Sequence, residues 1–289
     1  MSRFSISAAF CLAVGLSAGT AAVAEPQRIV SVGGSVTEVL YEVGAQDRVV
    51  GVDTTSLYPA DALKTKANVG YLRALSPEGV LALSPDLIVM EKDAGPPEAV
   101  DLLDRAGIPV VHVPAGHDVG DLAEKIRAIA SAAGKSEDGD RLASRIEADL
   151  VELKSDLAGI TQRKRVLFIL SLVDGRPMAA GTDTGADGII RLAGAENVFS
   201  DVKGFKTISP EAAAALKPDA ILMMTRSSAP HEGEDILKHP AFVETPAAKA
   251  GAFIKMESLY LLGFGPRTPQ AARDLAARLY PDLRLAKNQ

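Results

Sequence analysis

Tryptophan is absent from the 289 residues, aromatic residues make up only 4% of them, and cysteine occurs once. The shortage of flat rings argues against a carbohydrate-binding groove. The single cysteine, Cys11, lies in the N-terminal stretch MSRFSISAAFCLAVGLSAGTAAVAEPQ. There Arg3 supplies a positive end, an apolar run of small residues follows, and Ala22-Val23-Ala24 stands just before Glu25. That is the layout of a cleaved secretory signal peptide over residues 1–24, rather than of a membrane span. Cleavage after Ala24 removes Cys11, so the exported product is expected to hold no thiol, disulfide or thiolate metal site. Cys11 also precedes most of the apolar run, which speaks against a lipid-anchored N-terminus. No later run of about 20 apolar residues occurs, so a soluble, periplasmic product is expected, not inserted in a membrane. A basic stripe is lacking too, and the formal charge of −6 argues against a nucleic-acid partner.

What is present is alternation. RIVSVG (28–33), RVVGV (48–52), DLIVM (86–90) and IPVVHVP (108–114) read as short buried strands, with helix-like stretches between them. Strands alternating with helices imply parallel βαβ units and an α/β fold. SVTEVLYEVGA (35–45) carries Ser35 and Glu38 at capping-box spacing and Gly44 as a stop. SPEGVLALSPDLIVM (76–90) is repeated as SPEAAAALKPDAILM (209–223), and TGADGIIRLAGA (184–195) answers 35–45, with Thr184 and Asp187 as a second capping box. Two lobes on one plan follow: an N-terminal lobe over 25–135 and a C-terminal lobe over 165–289. Glu38 and Glu78 are 40 positions apart, Asp187 and Glu211 only 24, so the first lobe carries about 16 extra residues just before Tyr71. An insertion in a duplicated framework is a place to look for function.

Between the lobes, Leu142, Ile146, Leu150, Leu153 and Leu157 recur at helical spacing through residues 136–164. A helix of about 20–25 residues would be roughly 30–38 Å long. It reads as a strut that limits lobe closure.

From RIVSVGGSVTEVLYEVGA to LYLLGFGPRTPQAARDLA, the chain resembles the substrate-binding proteins of ABC importers that carry siderophores, cobalamin or haem. That resemblance implies two Rossmann-like lobes with parallel sheets joined by one long backbone helix. VDTTSLYP, VGYLRALSPEGVLAL, MAAGTDTGADGIIRLAG and LLGFGPRTP are most similar to the periplasmic haem-binding proteins. By that resemblance Tyr71, in Gly-Tyr-X-Arg, is the axial ligand to ferric haem iron, with haem a transported ligand. The partner it implies is an inner-membrane ABC permease dimer with its ATPase, served by a monomer that is not an enzyme.

The residue chemistry is compatible. Phenolate oxygen is a known axial ligand of haem iron, and a nearby guanidinium favours the charged phenolate. In extended backbone Tyr71 and Arg73 face one side and Leu72 the other. Arginine also pairs bidentately with carboxylates such as haem propionates. On spacing alone, a Tyr and an Arg capping a loop is the commoner case; the resemblance favours the ligand. The resemblance also assigns Arg226, after the AILMM strand, to the phenolate or a propionate. Arg267, in a Gly-Phe-Gly-Pro turn context, is expected to be structural. Where some relatives have a second-haem histidine after the Leu-Phe-Ile-Leu-Ser strand, Leu172 stands here, implying one haem.

Glu78 and Glu211 each follow Ser-Pro in the first turn of a helix, where a carboxylate suits the helix dipole. The resemblance adds docking on the permease, one Glu from each lobe. His112 is expected to pack in its strand, and His117, His231 and His239 to lie exposed on loops; no pair has metal-ligand spacing. A siderophore- or cobalamin-binding protein of the same fold is the nearest rival. An enzyme is the rival of another class, but GTDTGADG lacks a Gly-Lys-Ser/Thr ending and no G-x-S-x-G elbow occurs.

Overall fold

The computed structural model describes residues 25–114, 116–225, 233 and 235–283. The expected signal segment and Arg226 therefore lie outside the described residues, as does His231.

The first lobe opens with β1 (Ile29–Val32), α1 (Gly34–Glu42), β2 (Val49–Val52), α2 (Ala62–Thr65) and β3 (Ala67–Asn68). A small hairpin of β4 (Gly70–Tyr71) and β5 (Ala74–Leu75) follows, then α3 (Pro77–Leu81) and β6 (Leu87–Glu91). It closes with α4 (Pro97–Asp104), β7 (Val110–Val113) and α5 (Val119–Ala132). The long helix α6 (Ser136–Asp156) comes next. The second lobe begins β8 (Arg165–Val173), β9 (Arg176–Ala180), α7 (Gly185–Leu192), β10 (Glu196–Asn197) and β11 (Phe205–Thr207). It ends α8 (Pro210–Ala215), β12 (Ala220–Thr225), α9 (Pro246–Ala250), β13 (Phe253–Glu257), α10 (Ser258–Leu262) and α11 (Thr268–Leu279).

The first sheet is parallel throughout, in the order β3-β2-β1-β6-β7. Its central strands are apolar on both sides, as a sheet covered by helices requires. Ile29 and Val89 face a core shared with α1, α5 and α6. Val30, Val32, Ile88 and Met90 face a second core that takes in Leu72, Leu75, Val80 and Leu103. The chain turns opposite ways from β1 to β2 and to β6, so the C-terminal ends of these strands form a switch-point crevice.

The second sheet runs β11-β9-β8-β12-β13, and β10 also pairs with β8. Strands β10, β8, β12 and β13 are parallel; β9 pairs antiparallel with β8, and β11 pairs antiparallel with β9. The β8–β9 turn is Asp174-Gly175, both at positive φ (48° and 72°), the two-residue hairpin signal that an Asp-Gly pair carries.

The repeat extends to individual bonds. Ser76 and Ser209 cap α3 and α8 by accepting from Gly79 N and Ala212 N. Ser84 and Lys217 both sit at φ 46°. Asp86 accepts from Arg28 N as Asp219 accepts from Arg165 N, and the two guanidinium groups bond the Leu83 and Leu216 carbonyls. Each lobe thus ties the start of its first strand to the loop that leads into its neighbour.

Helix α6 covers Ser136–Asp156, a turn spans Leu157–Gly159, and 160–164 are not helical. Leu142, Ile146 and Leu150 pack into the first lobe's core, and Leu153 into the second's. One helix therefore has a side in each core.

Three expectations need correction. Ser35 and Glu38 form no capping box: Gly33 is the N-cap of α1 and makes no side-chain cap. The helix start is buried, and Asp53 and Thr55 accept from Gly33 N and Gly34 N instead, freeing Ser35 and Glu38 for other partners. Thr184 does cap α7, but the Asp187 carboxylate bonds Arg191 and Asn197. His112 is exposed on the edge strand β7 and pairs with Asp104 at 2.9 Å.

Candidate functional site

Strand β3 delivers the chain to the hairpin at the C-terminal edge of the first sheet. Gly70 takes φ 100°, a conformation that favours glycine, and its carbonyl accepts from Thr54 N at 2.8 Å. Tyr71 then pairs with Ala74, leaving Leu72 and Arg73 as the turn. Leu72 is 5% exposed and anchored in the core, while Tyr71 is 45% exposed. The expected alternation holds, and the phenol stands in the open.

Arg73 Nη1 donates to the Tyr71 Oη at 3.1 Å. Arg73 Nη2 meets the Asp93 carboxylate, just past the end of β6. Burial pulls the guanidinium's pKa down, but the Tyr71 bond and the Asp93 charge outweigh it, so it lies above the ordinary arginine value.

Behind the hairpin lies a buried polar seam between the lobes. Asp53 is fully buried and accepts from Gly33 N, Thr55 N, Thr55 Oγ1 and Ser56 Oγ. Ser35 donates to Glu91, and Lys125 Nζ donates to Ser35 Oγ at 3.2 Å and to the Gly263 carbonyl of the second lobe at 3.5 Å. Burial lowers Lys125 and raises Glu91, each away from its charged form. Glu38 Oε1 accepts from Arg267 N and Oε2 from Arg267 Nη2, both at 2.9 Å. The Arg267 guanidinium also lies 3.7 Å from the Tyr58 ring centroid.

Arg267 is thus a cross-lobe tie, in keeping with its expected structural role. His117, expected on an exposed loop, is half-buried and meets Phe264 of the second lobe edge-on, ring centroids 5.1 Å apart. Burial, then the Lys125 charge, lowers its pKa. An interlobe cavity of about 600 Å³ opens beside it, between Asp118 and Asp121 of the first lobe and Thr182, Asp183, Thr184 and Arg191 of the second. Tyr71 and Arg73 are not in its lining.

Glu78 and Glu211 are exposed in the first turns of α3 and α8, at matching positions of the repeat. The backbone N–H of Glu211 and the Ser209 hydroxyl hold the Glu211 carboxyl below its ordinary range. Sequence reasoning brought Tyr71 and Arg73 together and missed Asp93, Glu91 and Lys125. Glu91 and Asp93 carried a signal: two acids within three positions of the DLIVM run, at the end of a strand where open α/β sheets bind ligands.

Comparison with known proteins agrees with this architecture. The Roseiflexus sp. RS-1 periplasmic haem-binding protein RhuT, solved in apo form, superposes with a TM-score of 0.83 at 35% identity, covering 89% of this chain and 99% of that one. Haem-binding protein BhuT, solved with two haems, gives a TM-score of 0.82 at 36% identity over 89% and 99%. Among curated sequences, the vitamin B12-binding protein of Pectobacterium carotovorum is 29% identical over 74% of this chain and 76% of its own length. The family model described as periplasmic binding protein matches residues 29–260. With two lobes, a shared helix and a crevice at the strand ends, the chain belongs to the periplasmic binding protein family, in its haem, cobalamin and siderophore type.

Proposed function

We propose that this protein binds ferric haem in the cleft between its lobes and hands it to an inner-membrane ABC importer. The observation that carries the reading is the Tyr71 phenol, 45% exposed on a hairpin tip with Arg73 bonded to its oxygen at 3.1 Å. A packing tyrosine would bury its ring; this one presents its oxygen beside a cation. Tyr71 ligates the iron, and Arg73 and Arg226 secure the phenolate or the propionates. The similarity to RhuT and BhuT supports the choice of haem. Leu172 is 40% exposed and has no donor atom, so one haem per protein is expected, in contrast to the two in BhuT. Residues 1–24 act as the export signal to the periplasm, and Glu78 and Glu211 face the permease.

A visible-absorption titration of the purified protein with hemin tests this. The expected result is a one-to-one complex with a high-spin, phenolate-type spectrum that Tyr71→Ala abolishes. Unchanged binding and spectrum in Tyr71→Ala would sink the assignment of the ligand.

A second reading is cobalamin, motivated by the B12-binding relative. Cyanocobalamin in the same titration separates the two, because tight cobalamin binding with negligible hemin binding would replace the haem reading.

A further inference from the structure

Asp93 lies in the loop after β6, outside the Gly-Tyr-X-Arg motif. The backbone fixes it to the hairpin from both sides: Gly95 N donates to the Leu72 carbonyl and Leu75 N to the Gly95 carbonyl, each at 2.9 Å. Those bonds bracket the turn residue Arg73. Its guanidinium then spans the gap, one nitrogen on the Tyr71 oxygen and the other on the Asp93 carboxylate.

This pair is not there for stability. The Arg73 and Asp93 side chains are 57% and 39% exposed, and exposed ion pairs contribute only about 0–1 kcal/mol. What Asp93 changes is charge. Guanidinium and carboxylate cancel, so Tyr71 bound as phenolate leaves the trio at a net charge of minus one. The core of a ferric porphyrin carries one positive charge and that of a ferrous porphyrin none. Without Asp93, phenolate and guanidinium would sum to zero and the ferric core would face no compensating charge.

We infer that Asp93 is the counter-charge of the site, holding Arg73 on the phenol and biasing the bound haem toward the ferric state. This rests on the haem reading above. Its test is the reduction potential of the hemin-loaded protein, measured by spectroelectrochemistry for wild type, Asp93→Asn and Asp93→Glu. Asn keeps the shape and an acceptor oxygen but loses the charge; Glu keeps the charge in a longer side chain. The expected result is a potential shifted positive in Asp93→Asn and close to wild type in Asp93→Glu, with melting of the ligand-free protein unchanged in both. A merely structural role would give the opposite ranking, because Asn is the better steric match.

Asp93→Asn at the wild-type potential, or Asp93→Glu displaced as far as Asn, overturns the inference while the haem reading stands. A wild-type protein that forms no phenolate-ligated complex removes the haem reading itself, a distinct outcome seen before any variant is made.

Discussion

Glu38 and Arg267 stand 229 positions apart and meet in the seam between the lobes, the carboxylate side chain only 3% exposed. Removing one partner of such a pair strands a buried charge, at a cost of about 3–5 kcal/mol. Arg267→Ala is therefore expected to lower the melting temperature markedly, and adding Glu38→Gln to recover part of the loss. The loss should also depend on pH. Burial raises the Glu38 pKa, although bonds and charge from Arg267 pull it down. A carboxyl raised on folding contributes stability that is complete below its unfolded value, near 4.3, and is lost as pH rises through the folded value. Without Arg267 the folded value rises further, so the deficit of Arg267→Ala should be larger at pH 7 than near pH 5. Thermal melts at the two pH values check this; a deficit indifferent to pH would mean that lost packing on Tyr58, not the stranded carboxylate, is responsible.

At the scale of elements, α6 has side chains in both cores, so damage to it should be felt by both lobes. Leu150 is 5% exposed in the first core, and Leu150→Ala is expected to cost about 2–5 kcal/mol. Urea unfolding followed by circular dichroism measures that, and a loss well under 1 kcal/mol would mean that α6 is not seated as described. This helix was legible in the sequence because its apolar period is local. So were the strands, as short apolar runs, and the Ser-Pro-Glu helix starts, where cap and helix are neighbours in the chain. Legibility failed where a side chain had a choice of partner. Ser35 and Glu38 have capping-box spacing, but spacing cannot announce that Glu91 and Arg267 will be closer competitors. His112 sits in an apolar run, yet its strand lies at the sheet edge, a fact of strand order and not of local pattern. Tyr71 and Arg73 could be paired from their own spacing, whereas Asp93 reaches Arg73 only through the parallel sheet that brings β6 beside β1.

For the whole molecule, the question is how far the lobes move when a ligand enters. A periplasmic protein hinged on two loose strands would close widely. Here the lobes share α6, and the seam adds Glu38 with Arg267, Lys125 with the Gly263 carbonyl, His117 with Phe264 and Asp118 with Arg191. Opening the seam would expose Lys125, now 1% accessible, and would part the Glu38 carboxylate from the Arg267 guanidinium. Separating such ties strands buried charged groups, at a cost of several kcal/mol, so the cleft is expected to be largely formed before the ligand arrives. Preformation also keeps Glu78 and Glu211 at a constant separation, which a permease gripping both lobes at once would require. The expected result is a radius of gyration that barely changes when saturating hemin is added, measured by small-angle X-ray scattering, and a larger change in Arg267→Ala. Marked compaction of the wild type on loading would show that the seam yields, and that the importer distinguishes loaded from empty protein by lobe separation.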